Sequence, residues 1–125
     1  MIVAVARVLV VEDDVNVASM LRELLSALGY AAQIAETGSA AFDLLPQFEP
    51  DVVLLDLTLP EMPGEAVLDQ LLRTRPHVPV IVMTGNLDPD LAYRMRTRGA
   101  FDHVVKPFNL TRLAGLLETA LKNRG

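Results

Sequence analysis

Three short, almost uninterrupted apolar runs dominate the hydrophobic pattern of this chain: residues 7–11, 52–55 and 80–83. Runs of this length are typical of strands that are covered on both faces, as in the middle of a parallel sheet. Two further candidate strands, residues 31–35 and 101–105, contain polar side chains. We therefore predict three central strands and two edge strands.

Helical periodicity fills the intervals between the strands. Residues 15–28 carry an apolar stripe at helical spacing, and a glycine follows as a stop signal. Residues 110–121 form a second such stretch.

Capping signals predict two more helices. Asp88 and Pro89 are typical of an N-cap and a first helical turn, and Gly99 closes that helix about three turns later. Another helix is predicted to begin near Gly64 and to end before Pro76.

Strand and helix thus alternate five times, which predicts right-handed crossovers and a doubly wound α/β fold with a five-stranded parallel sheet and five helices. With the three apolar strands in the centre and the weaker ones at the edges, the strand order is 2-1-3-4-5, as in flavodoxin-like folds. Ligands bind such sheets beyond the carboxyl ends of the strands, here between the first and third strands.

Three consecutive acids, Glu12, Asp13 and Asp14, follow the first strand. Adjacent carboxylates repel one another and are costly to desolvate, so a cation or a basic group is one explanation for their presence. The other explanation is a polar strand exit, with Asp14 as the N-cap of the next helix. The triplet alone favours the second explanation.

The other central strands and the last strand also end in polar residues: Asp56, Thr84 and Lys106. Taken singly, each fits an ordinary role as a turn residue, a hydroxyl before a helix or a solvated cation. Because the carboxyl ends of parallel strands share one edge of the sheet, all of them together with the acidic triplet predict a site.

The chemistry of these groups indicates metal and phosphoryl binding. Carboxylates without histidine or thiol partners suit Mg²⁺ or Mn²⁺, and Mg²⁺ commonly binds a phosphoryl oxygen as well. Asp56 is then the candidate nucleophile, Lys106 offsets charge on the phosphoryl oxygens and Thr84 donates a hydrogen bond to one of them.

The strings VLVVEDD, DVVLLDLTLPEMPG, VIVMTG and VVKPF, in this order and spacing, resemble the receiver domain of bacterial two-component response regulators over the whole chain. The resemblance implies that Glu12 and Asp13 hold the metal, together with Asp56 and the backbone carbonyl of Thr58. Asp56 is implied as the phosphoacceptor, and Thr84 and Lys106 correspond to the family's switch hydroxyl and lysine. Asp14 is the less critical acid.

The resemblance also implies a turn through Pro60 and Gly64 and a cis bond between Lys106 and Pro107. Thr58 and Asn86 correspond to positions that tune how long the phosphoryl group lasts. Because neither is a strong acid or base, we expect dephosphorylation that is not exceptionally fast.

Two positions depart from the family pattern. His103 stands where an aromatic residue often swings inward on phosphorylation, and an imidazole changes charge near neutral pH, so switching is predicted to depend on pH. An edge-strand histidine without a switching role is the alternative. Pro63 replaces a common Asp and stiffens the loop.

Composition limits the remaining classes. We expect 125 residues to form a single receiver domain, with no effector domain in this chain. The absence of cysteine excludes a thiol mechanism and fits a cytoplasmic location. A net charge of −5 argues against direct nucleic-acid binding, and no segment reaches membrane-spanning length. We read Arg94, Arg96 and Arg98 as a solvated basic helix face.

The resemblance implies phosphorelay signal transduction, with a sensor histidine kinase as phosphodonor to Asp56. The face around the fourth helix, the fifth strand and the fifth helix is expected to change and to meet an unknown effector or a second copy. The domain would catalyse only its own modification. One alternative is a haloacid-dehalogenase-like phosphatase, but that family would need a second Asp in place of Thr58. A flavodoxin-like cofactor binder is a second alternative, but the three acids after the first strand would repel the phosphate of a flavin. A non-phosphorylated docking module is the remaining alternative.

Overall fold

A computed structural model describes residues 5–85 and 88–123. It contains five strands and five helices in strict alternation within these residues. Their bounds are β1 Arg7–Val11, α1 Val15–Ala27, β2 Ala31–Ala35, α2 Gly38–Phe48, β3 Val52–Asp56, α3 Gly64–Thr74, β4 Val80–Thr84, α4 Pro89–Arg98, β5 Asp102–Val105 and α5 Leu110–Asn123.

All strand pairs are parallel, and the sheet order is β2-β1-β3-β4-β5. The predicted order 2-1-3-4-5 and the doubly wound α/β class are confirmed. The three central strands are buried on both faces, whereas β2 and β5 alternate or are only partly covered. Uninterrupted apolar runs therefore marked the interior of the sheet correctly.

Helices cover both faces of the sheet, so the apolar core has two halves. One half lies beneath α2, α3 and α4, and includes Leu9, Leu55 and Met95. The other lies beneath α1 and α5, and includes Leu54 and Leu113. Alternate residues of each strand point into opposite halves, which ties the register of every strand to the packing on both sides.

Small differences from the predicted bounds concern the ends of elements. Asp56 and Thr84 end β3 and β4 as predicted, and each still pairs with the neighbouring strand. Leu28 is the C-cap of α1, and Gly29 follows with a φ of 87°. The fourth helix begins and ends as predicted, with Asp88 as N-cap and Gly99 as C-cap.

Candidate functional site: an acidic cluster with a lysine

The site lies at the carboxyl edge of the sheet, where β1 and β3 are neighbours. The Glu12 backbone N–H donates to the Ala35 carbonyl at 2.9 Å, so pairing with β2 continues one residue beyond β1. The Glu12 side chain is therefore directed into the protein and is fully buried, next to Asp56, whose side chain is only 4% exposed. Two carboxylates thus share a largely water-free space.

Lys106 joins these two carboxylates. Its Nζ lies 2.7 Å from Glu12 Oε1 and 3.3 Å from Asp56 Oδ2. Its backbone N–H donates to the Thr84 carbonyl at 2.8 Å, which extends the β4–β5 pairing and positions the lysine at the same edge. The bond between Lys106 and Pro107 is cis, as the resemblance implied. The contact with Glu12 is the shorter of the two and was not anticipated from the sequence.

The electrostatics of the site show an excess of negative charge. Burial raises the pKa of Glu12 to about 7, and the neighbouring Asp56 carboxylate adds to this, although Lys106 and the Asp14 backbone N–H work against it. Burial by itself lowers the pKa of Lys106, but the hydrogen bond to Glu12 and the charge of Asp56 outweigh burial and raise it. One ammonium therefore does not balance the acids around it.

The acidic cluster fits a divalent cation. One carboxylate oxygen from each of Glu12, Asp13 and Asp56 lies within 4.8 Å of the other two. No other group of His, Cys, Asp or Glu in the described residues meets this criterion. Oxygen ligands alone suit a hard ion such as Mg²⁺.

The acidic triplet divides between two roles. Asp14 Oδ1 accepts hydrogen bonds from the N–H groups of Asn16 and Val17 at 2.9 and 3.2 Å, which makes it the N-cap of α1. Its own N–H donates to Glu12 Oε2 at 3.2 Å. Glu12 contacts the basic group of Lys106, and Asp13 belongs with it to the acidic cluster, whereas Asp14 has the predicted role of helix N-cap.

The β3–α3 loop lies along the other side of Asp56. The Thr58 N–H donates to Asp56 Oδ1 at 3.0 Å, and the Thr58 side chain is exposed. Gly64 closes the loop by donating its N–H to the Leu57 carbonyl at 3.2 Å. A Cβ at position 64 would lie 2.6 Å from the Leu57 carbonyl oxygen, so the loop requires glycine there.

The remaining predicted site residues are Thr84, His103 and Asn86. Thr84 is buried and ends β4 beside Val105. His103 does not reach the acidic cluster, because it sits on β5 opposite Val82 and lines a cavity under α4. Asn86 lies outside the described residues.

These features define a parallel α/β domain with a buried, lysine-linked carboxylate pair. The sequence model of the response regulator receiver domain matches residues 8–118. The chain belongs to the response regulator receiver family and is a signalling module of two-component phosphorelay systems. The phosphatase alternative is not favoured.

Named relatives include transcriptional regulators. Regulatory protein AtoC of Escherichia coli is 36% identical over 119 residues, which are 95% of this chain and 26% of that protein. DNA-binding transcriptional regulator NtrC of Klebsiella pneumoniae is 34% identical over 114 residues, 91% of this chain and 24% of NtrC. The chain therefore spans about a quarter of the length of these relatives.

Solved structures of receiver domains have the same fold. The receiver domain of NtrX from Brucella abortus superposes with a TM-score of 0.88 at 30% identity, over 93% of this chain and 98% of that one. A CheY-like receiver domain from Methanospirillum hungatei gives a TM-score of 0.89 at 25% identity, over 95% of both chains.

The part of the chain that the structure describes contains no helix with the length and hydropathy of a membrane span.

Proposed function

We propose that Asp56 accepts a phosphoryl group from the phosphohistidine of a sensor histidine kinase. Receiver domains in general take phosphoryl groups from histidine kinases and bind Mg²⁺. The observation that supports the assignment is the position of Lys106 Nζ, which contacts the buried carboxylates of Asp56 and Glu12 beside the three clustered carboxylate oxygens. Glu12 shares the burial, the contact with Lys106 and the place in the acidic cluster. The choice of Asp56 over Glu12 rests on the resemblance of the segment DVVLLDLTLPEMPG to the family's phosphoacceptor segment.

The residues divide the work as follows. Glu12, Asp13 and Asp56, with the backbone carbonyl of Thr58, hold Mg²⁺ or Mn²⁺, which neutralises charge on the phosphoryl oxygens when it is bound. An Asp56 carboxylate oxygen forms a new P–O bond as the P–N bond of the donor breaks. Lys106 then moves its charge from the carboxylate pair to the phosphoryl group.

Thr84 is the proposed switch residue that responds to the negative charge of the phosphoryl group on Asp56. Its hydroxyl lies at the end of the strand next to β3, and we infer that it donates to a phosphoryl oxygen and withdraws from its present surroundings. His103 lines the cavity next to Thr84 and is the candidate second switch residue. If its charge matters, His103→Phe should abolish any pH dependence of partner affinity between pH 6 and 8; an unchanged dependence assigns it a purely structural role.

The output is a change in the face formed by α4, β5 and α5. We infer that this face meets an effector or a second copy of the domain.

We also propose that residues 1–125 act as one receiver domain and that the domain itself binds no nucleic acid. The domain has no substrate other than its own phosphodonor and phosphoryl group. We propose a location in the cytoplasm, where response regulators generally work. Thr58 and Asn86 tune the lifetime of the phosphoryl group, which should exceed a few seconds.

Transfer from phosphorylated histidine kinase domains tests the donor. Several radiolabelled kinase domains are incubated with the purified receiver and Mg²⁺, and label on the receiver is followed over time. We expect transfer from at least one kinase to the wild type and to Asp43→Asn, a control acid exposed on α2. Label that reaches Asp56→Asn equally well would contradict the assignment.

A further inference from the structure

Arg98, the last residue of α4, makes ion pairs with two acids of α3. Its Nη1 lies 2.7 Å from Asp69 Oδ2, and its Nη2 lies 3.2 Å from Glu65 Oε2. Glu65 and Asp69 are one helical turn apart, so the planar guanidinium bridges both with separate nitrogens. The interpretation of this helix face as merely solvated is therefore wrong for Arg98.

The rest of α4 is loosely held. Met95 is its one buried side chain, and Leu91 and Ala92 are half-buried. Between this side of α4 and the sheet lies a cavity of about 270 Å³. The cavity is also lined by Thr84, His103 and Val105, so it joins the helix to the proposed switch residues.

The carboxyl end of α4 lies close to α3. Gly99 adopts a φ of 118°, and a Cβ there would lie 3.0 Å from Leu72 Cδ1. Arg98 stands next to this contact. The cavity lies beside the earlier part of α4, from Pro89 to Met95. A shift of the whole helix into the cavity would displace Arg98 and stretch the bridge to α3.

We propose that the bridge from Arg98 to Glu65 and Asp69 is a latch that holds α4 in its resting position and opposes its movement when Asp56 is phosphorylated. The coupling to Asp56 rests on the proposed function; the restraint on α4 does not. Each contact is partly exposed and weak alone. Because Met95 is the one buried side chain of α4, the two contacts together add measurably to what holds the helix.

Hydrogen exchange tests the restraint without any phosphodonor. Arg98→Ala is compared with Arg94→Ala, which makes the same change on the same helix at an exposed residue that has no ion pair among the described residues. We expect amides of residues 90–98 to exchange about two to five times faster in Arg98→Ala than in Arg94→Ala. Equal exchange in the two variants would overturn the proposal.

A second comparison isolates the bridge itself. In a Glu65→Gln, Asp69→Asn background both carboxylates are neutral, so exchange in α4 should already be fast. Adding Arg98→Ala to that background should then change little, because the interaction has already been removed. A further increase as large as in the wild-type background would mean that Arg98 acts through something other than these acids.

Binding of beryllofluoride with Mg²⁺, a phosphoryl mimic, tests the coupling by calorimetry. If the latch opposes the switched state, its loss should tighten beryllofluoride binding by about two- to fivefold in Arg98→Ala and not in Arg94→Ala. Faster exchange with unchanged affinity would overturn the coupling and leave a simple structural tie. If wild type binds no beryllofluoride, the proposed function and the coupling both fail, and the exchange comparison still decides whether Arg98 restrains α4.

Discussion

Glu12 is a carboxylate with a fully buried side chain beside a second buried carboxylate, Asp56. Such a pair is unfavourable unless other groups compensate for it. Lys106 contacts both carboxylates, and the Asp14 N–H donates to Glu12. This compensation is incomplete, since burial still raises the pKa of Glu12 to about 7. The remaining negative charge is what the site offers to a cation.

The raised pKa of Glu12 predicts how the free energy of unfolding depends on pH. The folded-state pKa of Glu12 lies above its ordinary value of 4.5, so the folded protein keeps a proton that the unfolded chain releases. The stabilisation is present below pH 4.5 and is lost as the pH rises to about 7. Urea unfolding in EDTA should therefore show a free energy of unfolding that falls over this window in wild type.

The Glu12→Gln variant is the control for this effect. Glutamine keeps an oxygen that accepts from Lys106 but does not titrate, so the decline between pH 4.5 and about 7 should be smaller in the variant. Identical profiles for the two proteins would show that Glu12 keeps an ordinary pKa in the folded domain.

Substitution of glycine by alanine should have opposite effects on the free energy of unfolding at two positions, Gly64 and Gly115. At Gly64 an added methyl group meets the Leu57 backbone, so Gly64→Ala should lower the free energy of unfolding by about 2 kcal/mol. At Gly115, in the middle of α5, nothing lies within 4 Å of the new Cβ. Gly115→Ala should raise that energy by about 0.5–1 kcal/mol. Chemical denaturation measures both, and a stabilised Gly64→Ala would refute the close approach.

Among the elements, helix α1 and the acidic cluster use neighbouring acids of one loop. Asp14 caps the helix, whereas Asp13 contributes an oxygen to the acidic cluster. The sequence could identify this cap because an N-cap is a local interaction between residues two or three positions apart. The assignment of Glu12 and Asp13 to the cluster needed the sheet order, which brings Asp56 beside them.

The two aspartates should therefore respond differently to alanine. Asp14→Ala should lower the free energy of unfolding by about 1 kcal/mol and leave Mg²⁺ affinity nearly unchanged. Asp13→Ala should weaken Mg²⁺ binding and leave the stability of the metal-free domain intact, because Asp13 is exposed. Denaturation and calorimetric titration separate these effects. Loss of Mg²⁺ affinity in Asp14→Ala alone would reverse the assignment.

At the scale of the whole molecule, the fold and the location of the site followed from the sequence. Apolar runs gave the central strands, and parallel order gathered Asp56, Thr84 and Lys106 at one edge. Two contacts could not be predicted. Lys106 and Glu12 are 94 positions apart in the sequence, and the bridge from Arg98 to α3 joins residues at least 29 positions apart. Such pairs depend on side-chain directions that only the packed structure defines.

We propose Asp56 as the phosphoacceptor of a cation-dependent site. Intact mass of the purified domain after incubation with acetyl phosphate and Mg²⁺ tests it most directly, with fragmentation to locate the adduct. We predict a gain of one phosphoryl group in wild type and in Asp43→Asn, and none in Asp56→Asn or in EDTA. An adduct that persists in Asp56→Asn, or that forms equally well without a divalent cation, would contradict the account.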